Sequence, residues 1–139
     1  MNDLENWELV FIIPLAPCGK ARARGTGGGR FYTPLETRAM QRITGNVARR
    51  EMRLRKLKPL TGPVWFRVTA FFCDKEKIGE WAVVKPDWDN IGKLVSDALN
   101  GIAYVDDKQV VNSSVKKLYG NDNAIMVTVC PEFPLETAE

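Results

Sequence analysis

Two aspartates, two lysines and a proline fall within nine residues, Lys85-Pro86-Asp87-Trp88-Asp89-Asn90-Ile91-Gly92-Lys93. A second acidic pair, Asp106-Asp107, follows within 20 residues. Carboxylates gathered in one place repel unless a cation neutralises them. Magnesium is held by a few hard carboxylate oxygens, with water and phosphate completing its octahedron. An Asp-x-Asp pair with a distant third acid meets that need, and an amine nearby can stabilise charge building on a phosphate. The plainer reading is a helix cap, a surface ion pair and an acidic turn, each of them common and the surface pair worth at most about 1 kcal/mol.

The local pattern says how these groups are carried. Pro86 disfavours helical geometry at Lys85, so Trp81 to Val84 is expected to arrive extended, as a strand handing over to a helix. Asp87 has the side chain of an N-cap that accepts from first-turn backbone N–H groups. Apolar residues at 91, 94, 95, 98 and 99 form a helical stripe, while Asp89, Lys93 and Asp97 recur every four residues on another face. Asn100-Gly101 suits the helix end. If the chain then returns to the same sheet, Asp106-Asp107 lies near the Asp87/Asp89 end.

Composition narrows the chemistry. The 139 residues contain no histidine, which excludes Ser-His-Asp and Cys-His nucleophile systems and histidine-metal sites. Hydrolysis here must use a carboxylate, a lysine or a metal-activated water. Three widely spaced cysteines, Cys18, Cys73 and Cys130, speak against a disulfide framework or a zinc site. No apolar run reaches the roughly 18 residues of a membrane span, and the first five residues are acidic where a signal peptide is basic, so a cytoplasmic protein without membrane contact is expected. Residues 1–60 hold 12 Lys/Arg against 5 acids, a net +7, and residues 61–139 hold 8 against 12, a net −4. A basic half beside an acidic cluster suits a protein that grips a polyanion and brings its phosphates to metal ions.

Length and composition fit one domain. Trp7 to Ile13 reads as a strand. The glycine-rich stretch from Cys18 to Arg30 reads as a loop in which Lys20, Arg22, Arg24 and Arg30 are candidate contacts to DNA phosphates, as is Lys85. It is not a Walker A loop, because Gly19-Lys20 is followed by Ala21. Thr33, Pro34 and Glu36 form a capping-box helix start, and a helix is expected from about Pro34 to Lys56 with Met40, Ile43, Val47, Leu54 and Leu57 on its apolar face. Val64 to Cys73 alternates as a strand. After the Asp-rich helix, Ile102 to Val105 reads as a short strand, and Gln109 to Tyr119 and Ala124 to Cys130 as two strands joined by a hairpin-like Gly120-Asn121-Asp122-Asn123 connection. The expected class is α+β, a single domain over 1–139 with one mixed sheet covered by two main helices.

Taken together, Lys85-Pro86-Asp87-Trp88-Asp89-Asn90, Lys93, Asp97-Ala98-Leu99-Asn100-Gly101 and Asp106-Asp107-Lys108-Gln109-Val110 resemble the signature of the RusA-type Holliday-junction resolvases. The early Pro17-x-x-Lys20-x-Arg22-x-Arg24 and Tyr32-Thr33-Pro34 segments are similar to that family as well. The resemblance implies a magnesium-dependent homodimer, a crossover-junction endodeoxyribonuclease cutting two opposed strands of a four-way DNA junction. It places Asp87, Asp89 and Asp107 as metal-binding acids, Asp106 as a second candidate beside Asp107, and Lys93 as the catalytic lysine. Asp97 matches a recurrent acid and reads as the partner that fixes Lys93. Two other readings stay open: a junction-binding module without cleavage, which shares the basic half, and a nucleotide-sugar transferase, for which the chain is short and lacks dinucleotide-type halves.

Overall fold

The computed structural model describes residues 3–19 and 34–135. The capping-box residue Thr33 and the candidate DNA contacts Lys20, Arg22, Arg24 and Arg30 lie outside the described residues.

Alternating apolar residues make the sheet. The strands β1 (Leu9–Ile13), β2 (Val64–Cys73), β3 (Val110–Gly120) and β4 (Ala124–Pro131) form one four-stranded sheet in the order β1-β4-β2-β3. β4 runs antiparallel to both β1 and β2, whereas β2 and β3 are parallel. Leu9 and Ile13, Val64, Phe66, Val68 and Ala70, and Ile125, Val127 and Val129 all point to one face and are buried. That face is covered by two helices, α1 (Pro34–Leu54) and α2 (Trp88–Ala98). The expected class and the single mixed sheet with two helices are what the chain adopts.

Two parallel neighbours need a crossover, and α2 is that crossover. It buries Ile91, Leu94 and Val95, with Leu99 at its C-cap, as the stripe requires. Its opposite side is left for polar residues.

Four expectations are corrected. First, β3 and β4 are joined by a short link but do not pair, because β2 lies between them. The link crosses the end of β2: the Asn123 side-chain oxygen accepts from the Cys73 N–H at 2.9 Å, and the Asp74 N–H donates to the Gly120 carbonyl at 3.1 Å. Two strand spacings are about 10 Å, within reach of the few residues available. Second, Ile102 to Val105 is not a strand. The N–H groups of Ile102 and Ala103 fold back onto the Leu99 carbonyl, Gly101 takes φ 75°, and Tyr104 makes only isolated bridges. This run is apolar because Ile102, Ala103 and Tyr104 are buried beneath the helix ends.

Third, the segment before α2 is no full strand. Trp81 forms one bridge to Leu118, the Ala82 N–H donates to the Lys117 carbonyl at 2.9 Å, and the Lys117 ammonium donates to the Val84 carbonyl. It is nevertheless hydrogen-bonded along the outer edge of β3. Fourth, the buried face of α1 is only partly the expected one: Met40 is buried and Val47 and Leu57 pack against the core, but two of the expected residues do not. Met40, Thr44, Ala48 and Met52, four residues apart, face the core, while Ile43 and Leu54 are exposed. α1 passes close to the end of α2 there: a Cβ on Gly45 would meet Ile102 at 3.4 Å and the Ala98 carbonyl at 3.5 Å, in ordinary van der Waals contact. Thr44 hides its polarity by donating to the Met40 carbonyl at 2.8 Å. Among the described residues no helix is long and apolar enough to cross a membrane.

Candidate active site

α2 presents its polar face over β3. Asp87 occupies the N-cap with extended backbone, and its carbonyl accepts from the N–H groups of Asn90 and Ile91 at 3.1 and 3.2 Å. Its side chain makes no capping hydrogen bond, in contrast to the expectation for an N-terminal aspartate. The Asn90 N–H, a usual donor to an N-cap side chain, is shared between the Asp87 carbonyl and the Asp89 carboxylate, the latter at 3.0 Å.

One turn further on, the Lys93 ammonium stands between two carboxylates, 3.3 Å from Asp97 and 3.4 Å from Asp107. Asp97, the i+4 neighbour, contributes most to holding that ammonium above its ordinary pKa, and Asp107 adds to it. Lys93 is therefore a fixed, charged donor. Its side chain is more than half exposed, so the pairs orient the amine and contribute little to stability.

Asp107 arrives from the other side of the cleft, on a 3-10 turn, Asp107–Gln109, that leads into β3. The neighbouring acids divide the work. Asp106 is the N-cap of that turn, its carboxylate accepting from the Lys108 N–H at 3.0 Å, while Asp107 faces Lys93. Gln109 fastens the turn with four hydrogen bonds. Its oxygen accepts from the Val105 and Asp106 N–H groups at 2.9 and 3.0 Å, and its amide donates to the Leu60 and Gly62 carbonyls, both at 2.9 Å. Tyr104, fully buried, donates its hydroxyl to the Ser96 carbonyl at 2.7 Å and ties the post-helix turn to α2. Burial, reinforced by the charges of Asp107, Asp97 and Asp106, holds this phenol far above its usual range and so protonated.

Three of these groups, Asp89, Lys93 and Asp107, open on one cleft of about 340 Å³, lined also by Trp88, Gly92 and Ser113. Gly92 lets α2 come close to the sheet there: a Cβ would lie 3.2 Å from Val115. Asp89 and Asp107 bring hard oxygens to this space, and two carboxylates with the remaining positions left to water and phosphate is the pattern magnesium takes. Asp87 stands at the helix start and is not among the lining residues; among the described residues no three Asp, Glu or Cys side chains form one metal-holding group. Lys85 is exposed on the segment leading into α2 and does not line the cleft.

Residues 14–130 match the family described as endodeoxyribonuclease RusA. The chain belongs to the RusA endodeoxyribonuclease family. A curated relative, uncharacterized protein YqaN of Bacillus subtilis strain 168, is 47% identical over 137 residues, covering 87% of this chain and 94% of the relative. The match contains every acid and lysine of the cleft, so the geometry above is that of a RusA-family domain.

Reading residues alone misses Gln109, taken for the first residue of a strand, and Tyr104, taken for part of another. Gln109 leaves a detectable signal. Asp106 and Gln109 stand at capping-box spacing, an N-cap acid with a glutamine three residues on.

Proposed function

We propose that this chain is a magnesium-dependent endodeoxyribonuclease that cuts branched DNA, with the four-way Holliday junction as substrate and a homodimer as the working unit. The observation that carries the reading is the convergence of Asp89, Lys93 and Asp107 on one cleft from two separate segments of a nuclease-family domain. Asp89 and Asp107 would hold the ion, with Asp87, two residues upstream, as the third acid, while Asp106 serves as the cap of the turn that carries Asp107. When bound, magnesium supplies a lowered water pKa and positive charge at the phosphate.

The remaining work belongs to side chains. Lys93 donates to the phosphate oxygens or the leaving oxygen, where negative charge grows as the P–O bond breaks. Asp97, 3.3 Å away and outside the cleft lining, keeps the Lys93 amine in place. The Gln109 clamp and the Tyr104 hydroxyl hold the two segments at a fixed separation, so that little reorganisation remains at the moment of reaction. Cutting two opposed strands of a junction needs two such clefts related by a two-fold axis, which is the argument for the dimer. A module that binds junctions without cutting them has no use for an acid-amine cleft of this kind.

The test is a gel assay of a labelled four-way junction and a linear duplex of the same sequence, with magnesium titrated and with chelator. Paired nicks in the junction that require magnesium are expected. Asp89→Asn and Asp107→Asn are expected to bind the junction and leave it intact. Undiminished cleavage by both Asn variants would reject the site, and a monomer by light scattering at micromolar concentration would reject the dimer.

A further inference from the structure

Past the C-terminal end of α2 lies a second cleft, of about 550 Å³, that has no part in the chemistry above. Four of its lining residues are cations, Arg49, Arg53, Lys56 and Lys58, and none is acidic. All four are exposed. Arg49 and Arg53 come from the last turns of α1, Lys56 and Lys58 from the chain just after it, and Gly101 and Ile102 close the cleft from the α2 side.

The dull explanation is that cations suit helix C-termini, where backbone carbonyls carry partial negative charge. Lys56 speaks against that being all. It closes α1 in a Schellman arrangement, with the Leu57 N–H donating to the Met52 carbonyl at 2.9 Å and the Lys56 N–H to the Arg53 carbonyl at 3.2 Å. The residue at that position takes φ 55°, the one positive φ at a non-glycine among the described residues. Glycine is the unstrained choice there. A long cation instead occupies a strained position and adds to a group of like charges, an arrangement that favours an anionic ligand.

We propose that this cleft binds the phosphate backbone of a DNA duplex arm, as a grip separate from the cutting site. The identity of the polyanion as DNA rests on the nuclease reading; the cleft itself does not. From Asp89 to the C-cap Leu99 the helix runs about 15 Å at 1.5 Å per residue. That corresponds to about four base-pair steps of duplex, so the grip would engage the arm a few steps from the cut.

The experiment measures binding of a labelled four-way junction by fluorescence anisotropy in chelator, from about 50 to 200 mM salt, alongside thermal melting. The triple variant Arg49→Gln, Arg53→Gln, Lys58→Gln is expected to bind at least about 10-fold more weakly, with a plot of log K against log salt shallower by about 2 to 3 units. Lys56→Gly is expected to bind more weakly while melting no lower than the parent, because glycine relieves the backbone. Variants that melt lower but keep the parent's affinity and salt slope would assign the cations to the helix ends alone and overturn the grip. A parent that fails to bind DNA in chelator also overturns it. If the parent binds but never cuts with magnesium, the cleavage reading fails, and a weakened triple variant still supports the grip.

Discussion

The clefts at the two ends of α2 use charge in opposite ways. At the N-terminal end the Lys93 ammonium is set against carboxylates at 3.3 and 3.4 Å, and the acids come from a helix and a turn each held in place by hydrogen bonds. At the C-terminal end four cations gather with no acid in the lining. Matched charges fix positions, which chemistry needs. Unmatched charges of one sign attract an opposite polyelectrolyte from a distance and tolerate loose geometry, which grip needs. One helix thus separates a place where atoms must sit within tenths of an ångström from one where only net charge counts.

The largest effect should come from the matched end. Asp89→Asn or Asp107→Asn keeps side-chain shape and removes a ligand charge, so cleavage should fall by about 1,000-fold or more while junction binding stays within a few-fold. Asp106→Asn is the internal control. Asparagine caps as well as aspartate, so this variant should keep most of its activity although the adjacent one loses nearly all. Equal losses at 106 and 107 in a single-turnover assay would show that the two neighbouring acids are not divided between capping and catalysis.

Lys93→Met should follow, with a fall in single-turnover rate of about 100- to 1,000-fold and little change in the salt dependence of binding. Lys93→Arg should recover part of the rate. If instead Lys93→Met flattened the salt slope as the basic-cleft variants are expected to, the two ends would be one continuous DNA surface and not two devices.

Gln109→Ala tests the support of the matched end. It removes four hydrogen bonds from a partly exposed side chain, so stability should drop by about 2 kcal/mol, seen as a melting shift of roughly 5 to 10 °C. The rate should drop by about 10- to 100-fold, because Asp107 sits on the turn this side chain fastens. Unchanged melting would mean that backbone pairing alone holds the turn.

How much of this could be read from residues depends on range. α2 was legible because its apolar spacing and its acid-amine-acid face are local, and the alternation of β2 likewise. The buried face of α1 was less so, because a threonine and a glycine are buried on it, and nothing in their residue types announces that the Thr44 hydroxyl is satisfied by the Met40 carbonyl or that Gly45 faces the end of α2. The hairpin reading of β3 and β4 failed for a similar reason: a short link joins strands equally well when a third strand lies between them. At the site, the residue types told which acids and lysine to suspect. Only the capping-box spacing of Asp106 and Gln109 hints that Asp106 is the cap; that Asp107 then faces Lys93 depends on Gln109 reaching back to the 105–106 backbone.

The smallest effect separates support from chemistry. Tyr104→Phe removes a 2.7 Å hydrogen bond from a fully buried ring and leaves the packing in place, so it should cost about 1 kcal/mol and change the cleavage rate by no more than a few-fold. The pH dependence fixes the cause. The folded phenol is held well above the unfolded value of about 10, so folded and unfolded states carry the same proton at neutral pH and the tyrosine's contribution is fully present there. Above about pH 10 the unfolded chain ionises at this position and the folded one does not, so the contribution falls as pH rises. The other two tyrosines are common to both proteins and cancel in the difference. Urea unfolding at pH 7 and near pH 10.5 should therefore show the parent's advantage over the Phe variant narrowing at the higher pH. An advantage that grew with pH would mean that the hydroxyl ionises in the folded protein, and that Tyr104 belongs with the charges of the cleft and not with its scaffold.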